Sequence, residues 1–221
     1  MSRTFVVLGS YLLGGIPVAY LTGRLLGGID IRQRGSGNVG ASNIWQHVSR
    51  VAVAPVGVTE IGQGFAGPLW AKNAGHGESV QVLAGLAALA GHNWSPFLGF
   101  AGGRGVGAAI GFMLALSRPA LAVFIAVALI GVALRKVPQF VGLGMLMAPI
   151  VAGASRQPAT IVAGNAGMAG LLIAKRLLAN DGSLPSGSGA RDVLISRLVY
   201  DRDAPDRESW IRSAGPRQAK H

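Results

Sequence analysis

Long apolar runs separated by short polar or glycine-rich breaks recur along this chain. They cover Thr4–Gly23, Val51–Trp70, Ser79–Phe100, Val106–Leu116, Pro119–Leu134, Pro138–Gly153 and Pro158–Ala174. A bilayer-crossing helix takes roughly 20 predominantly apolar residues. Most of these runs approach that length; Val106–Leu116 is too short alone. Several begin at proline, which suits the first turn of a helix. The pattern predicts an all-α, polytopic membrane helix bundle with short loops and five to seven crossings, seven preferred. The GGIP turn at Gly14–Pro17 predicts a kink in the first span. Glu60 and Gln63 interrupt the second, and an intramembrane acid usually faces a polar interior.

After residue 180 the pattern changes. Residues 1–180 read as one transmembrane region, and 181–221 as a polar cytoplasmic tail. Within the tail, Ala190–Tyr200 predicts a short amphipathic helix at the membrane surface. Asp201–His221 is polar, charged and proline-containing, and predicts disorder.

Composition agrees with the patterning. Half of the 221 residues are apolar and 13% are charged, about half the usual charged share of a soluble domain. The 34 glycines suit close helix packing in lipid. With no cysteine, disulfides, thiolate nucleophiles and thiolate metal sites are excluded. The formal charge of +11 would suggest nucleic acid in a soluble protein. In so apolar a chain it points instead to topology, anionic lipid and an anionic substrate. With seven spans and the N-terminus outside, Arg24, Arg32, Arg34, Arg50, Arg104, Arg135, Lys136, Lys175 and Arg176 fall inside. Arg3, Lys72, Arg118 and Arg156 fall outside, as the positive-inside rule requires.

Two loops carry the candidate chemistry. DIRQRGSGNVGASN, Asp30 to Asn43, follows the first span. Its small residues leave backbone N–H groups open to an oxyanion, and Arg32 and Arg34 add positive charge. The second, AGGRGVG from Ala101 to Gly107, leads into an apolar run, so a helix N-terminus there favours phosphate. Arg104 offers a planar fork of donors. On composition alone, the first loop is equally a flexible turn and the second a tight helix–helix connection. Asp30 can pair with a neighbouring arginine. His92 reads as an interfacial anchor or as a base, and Glu60 as a partner for an interior cation such as Arg104 or Arg32. The topology places both loops on the cytoplasmic side.

YLLGGIPVAYLTGRL (Tyr11–Leu25), the Asp30–Asn43 loop and GHNWSPFLGFAGGRGVG (Gly91–Gly107) together resemble the bacterial integral-membrane acyl-phosphate:glycerol-3-phosphate acyltransferases. KRLL at Lys175–Leu178 is a weaker echo, and the similarity runs from about residue 5 to 180. The resemblance implies seven spans and a cytoplasmic site in the bacterial inner membrane. It also implies transfer of a fatty acyl group from acyl phosphate to the first hydroxyl of glycerol 3-phosphate, giving lysophosphatidic acid. It implies no cofactor, no metal and no acyl-enzyme, and an upstream enzyme that forms the acyl phosphate. By position it places Ser36, Asn38 and His92 in the catalytic set. The phosphate-binding set is Arg32, Gly37, Asn43, Gly102, Gly103, Arg104, Gly105 and Arg176.

The chain departs from the family pattern in several places. Gln46 stands where an arginine is common, Gln63 where an acid–lysine pair in the second span has its lysine, and Arg104 where the glycine loop has lysine. Ile173 replaces an asparagine, and the matching acid is shifted to about Asp181. These departures leave a catalytically diverged relative as the alternative reading, and a small transporter as a weaker one.

Overall fold

The first apolar run is broken in two at the GGIP turn. Helix α1 (Arg3–Gly15) starts at an N-cap, where Ser2 accepts a hydrogen bond from the Phe5 N–H at 3.2 Å, and α2 (Val18–Gly27) resumes after Pro17. A helix break at membrane depth strands carbonyls that lipid cannot satisfy. Here Ile16 N–H meets Leu13 O at 3.3 Å and Val18 N–H meets Ile16 O at 3.0 Å, and neighbouring segments add further donors. Gln63 Nε2 donates to Leu13 O at 3.2 Å and Ile16 O at 2.8 Å, and Ser95 Oγ donates to Gly15 O at 2.6 Å. Gln63 is therefore the clamp of the break.

This computed structural model describes residues 1–178 and 184–206. After the first loop comes the short α3 (Ala41–His47). Further helices follow: α4 (Val53–Asn73), α5 (Glu78–Asn93), α6 (Val106–Leu116), α7 (Arg118–Ala133), α8 (Val137–Ala154), α9 (Ala159–Leu178) and α10 (Ala190–Tyr200). Arg3–Gly27, α8 and α9 are long and apolar enough to cross a membrane; α6 and α7 are apolar but shorter.

Glycine and alanine let the helices meet at backbone distance. A Cβ on Gly14 would stand 2.0 Å from Ala88 O, and one on Gly91 would stand 2.0 Å from Tyr11 O, so α1 and α5 touch through both. Gly64 against Ala108 O (1.9 Å) and Gly111 against Ile61 O (2.0 Å) do the same for α4 and α6. Helices in lipid gain contact rather than hydrophobic burial from such small residues. The core between α5, α6, α7, α8 and α9 is filled by Leu89, Phe112, Met113, Phe124, Met145 and Met168.

Successive helices alternate direction. Contacts across the ends confirm the pairing: Ser117 Oγ donates to Gln157 Oε1 at one end, and Arg176 NH2 donates to Pro138 O at the other. Both small-residue loops lie at the second of these ends. Helix α10 forms where the pattern predicts it. It docks on α8 and α9, with Ser196 and Arg197 buried and Ile195, Leu198 and Val199 exposed. The start of the segment expected to be disordered is placed instead. Residues 201–206 fold back against the bundle, held by Arg197 Nε on Asp203 Oδ1 at 2.6 Å. Residues 207–221 lie outside the described part of the chain.

Candidate functional site

The Asp30–Asn43 loop is held by its own side chains. Asp30 accepts from the Arg32 backbone N–H at 3.0 Å and from the Arg32 guanidinium at 2.7 to 3.2 Å. Arg32 also lies over the Tyr20 ring, 5.1 Å from its centroid. The Arg32 guanidinium holds the Asp30 carboxyl below the usual carboxylate range. The buried Asn43 Nδ2 serves three carbonyls, those of Ile31, Arg34 and Asn38, at 3.0 to 3.1 Å. Arg32 and Asn43 thus shape the loop from within. Gly37 has φ 67° and donates its N–H to Arg34 O at 2.9 Å, a left-handed turn suited to glycine. That turn presents Ser36 and Asn38, where Ser36 Oγ accepts from the Asn38 N–H at 3.3 Å.

The second loop docks onto the first. Val39 N–H donates to Gly102 O at 3.4 Å, and Gly103 N–H donates to His92 O at 3.0 Å. No side chain fits at the two glycines. A Cβ on Gly102 would stand 2.4 Å from Asn93 O, and one on Gly103 would stand 2.1 Å from His92 Nε2. Gly105 (φ 75°) then turns the chain into α6 as its N-cap. His92 is buried beneath this loop and lines a cavity of about 10 Å³ with Glu60, Gln63, Gly102 and Gly103. Room there is for about one water.

Glu60 differs from expectation. It makes no ion pair among the described residues, and its carboxylate faces the Ala41 N–H at the start of α3. The two cations expected to meet it are occupied elsewhere, Arg32 by Asp30 and Arg104 by Asp201.

Ser36 and Arg104 share one pocket. It has a volume of about 140 Å³ and is lined by Gly35, Ser36, Asn38, Ser42, Gln46, Arg104, Pro138, Tyr200, Asp201 and Arg202. Arg104 NH1 donates to Lys175 O at 3.1 Å, which fixes the guanidinium, and its Nε lies 3.2 Å from Asp201 Oδ1. Asn38 Oδ1 is buried and accepts no hydrogen bond among the described residues. The chemistry on offer is a cationic fork, a hydroxyl and an amide, with no cysteine nucleophile in the chain. This suits holding an oxyanion.

A second, apolar groove of about 450 Å³ runs between α8 and α9. Met145, Leu146, Leu172, Ile173 and Leu198 line it, with Arg176 at its rim. Arg176 is tied down by bonds to Leu198 O at 2.8 Å and Pro138 O at 2.9 Å. The groove adjoins the polar pocket, because Pro138 and Tyr200 line the pocket while their neighbours Gln139 and Val199 line the groove.

The structure thus gathers Ser36, Asn38 and Arg104 in one pocket. It puts Gly37, Gly102, Gly103 and Gly105 in the loops that frame the pocket and Arg176 at the groove. His92 lies beneath the second loop. Sequence reasoning missed Asp201 and Tyr200, which no motif marked. It also missed Lys175 as a part of the site: its carbonyl positions Arg104, and its buried ammonium lies 5.5 Å from the Trp94 ring.

Comparison with known proteins gives the family and the fold. The sequence model of the family described as glycerol-3-phosphate acyltransferase matches residues 4–180. A glycerol-3-phosphate acyltransferase of Synechococcus sp. (strain CC9902) is 42% identical over 153 residues, 66% of this chain and 76% of that protein. Glycerol-3-phosphate acyltransferase 4 of Dehalococcoides mccartyi (strain CBDB1) is 34% identical over 96% of this chain and 94% of its own length. Two crystal forms of an integral membrane glycerol 3-phosphate acyltransferase share the fold. The glycerol 3-phosphate form has a TM-score of 0.73 and 29% identity, covering 80% of this chain and 88% of that one. The lysophosphatidic acid form has a TM-score of 0.74 and 26% identity, covering 96% and 100%. With four-fifths of its length matched by the family and both loops folded into one pocket, this chain belongs to the glycerol-3-phosphate acyltransferase family.

Proposed function

We propose that this multi-pass membrane acyltransferase moves a fatty acyl group from acyl phosphate to glycerol 3-phosphate, making lysophosphatidic acid and inorganic phosphate. The observation that carries the reading is the shared pocket of Ser36, Asn38 and Arg104 opening beside an apolar groove. The pocket suits phosphate groups and the groove suits an acyl chain.

An acyl phosphate is already activated, so the protein supplies position and charge rather than a nucleophile. Arg104 holds phosphate, and the Gly102–Gly105 loop sets where its guanidinium stands. Ser36 donates to an oxyanion, and Asn38 Oδ1 accepts the hydroxyl of glycerol 3-phosphate. That hydroxyl oxygen attacks the acyl carbonyl, and the bond to the leaving phosphate breaks. His92, under Gly103, supports the loop, so the leaving phosphate is the better-placed acceptor for the hydroxyl proton. Arg176 stands where the groove begins, and an upstream enzyme that forms acyl phosphate supplies the donor.

The sign of the charges supports an orientation in the bacterial inner membrane. Arg104, Lys136, Lys175 and Arg176 lie at the end that carries the pocket, which the positive-inside rule assigns to the cytoplasm. Seven crossings with the N-terminus outside satisfy this. The region 1–180 is the transmembrane acyltransferase part, and the polar segment 181–221 adds Tyr200, Asp201 and Arg202 to the pocket wall.

The test is purified protein in detergent with acyl phosphate and radiolabelled glycerol 3-phosphate, against acyl-CoA as alternative donor. Labelled lysophosphatidate from acyl phosphate alone is the expected result. A folded preparation that forms none from any donor length overturns the reading.

A further inference from the structure

The family match ends at residue 180, yet the pocket has a wall beyond it. Helix α10 is fastened to the bundle by Arg197 NH1 on Leu177 O at 2.6 Å and by Arg176 NH1 on Leu198 O at 2.8 Å. At its end Asp201 adopts φ 57°, a left-handed backbone rare for any residue but glycine, asparagine or aspartate. That turn sends the Asp201 carboxylate into the pocket, 3.2 Å from Arg104 Nε. The neighbouring Arg202 also lines the pocket, but its guanidinium is engaged within the turn: it donates to Ala204 O and Pro205 O and lies over the Tyr200 ring. So the anionic residue of the turn enters the site and the cationic one caps the turn itself.

We propose that Asp201 is an affinity-setting residue of the phosphate pocket, an internal carboxylate that occupies Arg104 until a substrate phosphate displaces it. This rests on the reading of that pocket as a phosphate site. Three features support displacement over a permanent pair. Asp201 Oδ1 accepts no aligned hydrogen bond from Arg104 or any other described residue. Arg104 keeps its bond to Lys175 O when the carboxylate leaves, so the fork stays in place for the incoming anion. The two side chains, 13% and 23% exposed, both line the pocket, so an anion entering it meets the pair directly. A phosphate, with more charge and three acceptor oxygens, competes well for the same fork.

The test uses the full chain in detergent and measures inorganic phosphate binding by calorimetry, with glycerol 3-phosphate as a second probe. Asp201→Asn removes the charge. Asp201→Gly removes the side chain at a backbone position glycine prefers, so a folding failure of the first variant leaves the second readable. Both should bind phosphate roughly fivefold more tightly than the parent, while Asp201→Glu, which keeps the charge, should stay within about twofold of it. Unchanged or weaker phosphate binding in the uncharged variants overturns the proposal. The measurement needs no turnover, so a failed acyl-transfer assay would sink the functional reading and leave this result to be judged separately.

Discussion

Gln63 of α4 reaches across to Ile16, its amide Nε2 donating to the carbonyl at 2.8 Å where the first span breaks. The same amide meets Leu13 O at 3.2 Å. Lipid cannot supply these bonds, so this polar residue inside a span is accounted for by the backbone it satisfies.

Gln63→Leu keeps the volume and removes the donor. Leu13 O and Ile16 O then keep only their backbone donors, Ile16 N–H at 3.3 Å and Val18 N–H at 3.0 Å, and each lost side-chain bond costs about 0.5–1.5 kcal/mol. A clear fall in thermal unfolding temperature in detergent is expected, together with lost activity, because the break positions the first loop. An unchanged melting temperature would show that the clamp contributes little.

At Gly103 the constraint is space rather than polarity. Gly103→Ala would set a methyl 2.1 Å from the buried His92 Nε2 and 2.9 Å from Val39 O. The loop has to shift by something like an ångström, and misplacement on that scale costs roughly 100-fold in rate. Steady-state kinetics should show this drop with the melting temperature largely kept. Full activity would mean that the loop is softer than its packing implies.

Arg104 is the fixed cation of the pocket. Arg104→Gln removes charge-assisted contacts to phosphate, each worth about 1.5–3 kcal/mol. The expected result is a fall of at least roughly tenfold in kcat/KM. It should also abolish the effect of Asp201→Asn on phosphate binding, since the two residues form one pair.

Asp30 gives a pH dependence with a definite sign. Its carboxyl sits below the ordinary value of 3.8 because Arg32 stabilises the charged form. A depressed carboxylate contributes stability that is fully present above the unfolded value and lost as pH falls through the folded one. Unfolding experiments should therefore show no contribution from this group to pH dependence between neutrality and about pH 5, and a loss below. Asp30→Asn should lower stability at neutral pH and flatten the acid limb. An unaltered acid limb in the variant would assign the transition to other groups.

Much of the architecture was legible because membrane burial leaves a coarse signal. Runs of apolar residues, proline starts and asymmetric Lys/Arg placement located the helices and put Asp30–Asn43 and Ala101–Gly107 at one end. The GGIP break was readable from its own residues. Roles inside the loops were less so. Arg32 was marked by its charge and Asn43 by the family resemblance, and neither showed that Arg32 bonds Asp30 or that Asn43 Nδ2 serves three loop carbonyls. Glu60 looked like a partner for a cation, and both candidates were already engaged.

Local chemistry in the chain was enough to establish a polytopic helical protein, its two small-residue loops and its family, since patterning and motifs are properties of neighbouring residues. It did not reveal that Asp201 stands against Arg104, that Gln63 closes the break at Ile16, or that Lys175 lends its carbonyl to the site. Those partners are far apart in the chain and meet only through the packing of the bundle, whose glycines let helices approach backbone to backbone and bring distant polar groups within bonding distance.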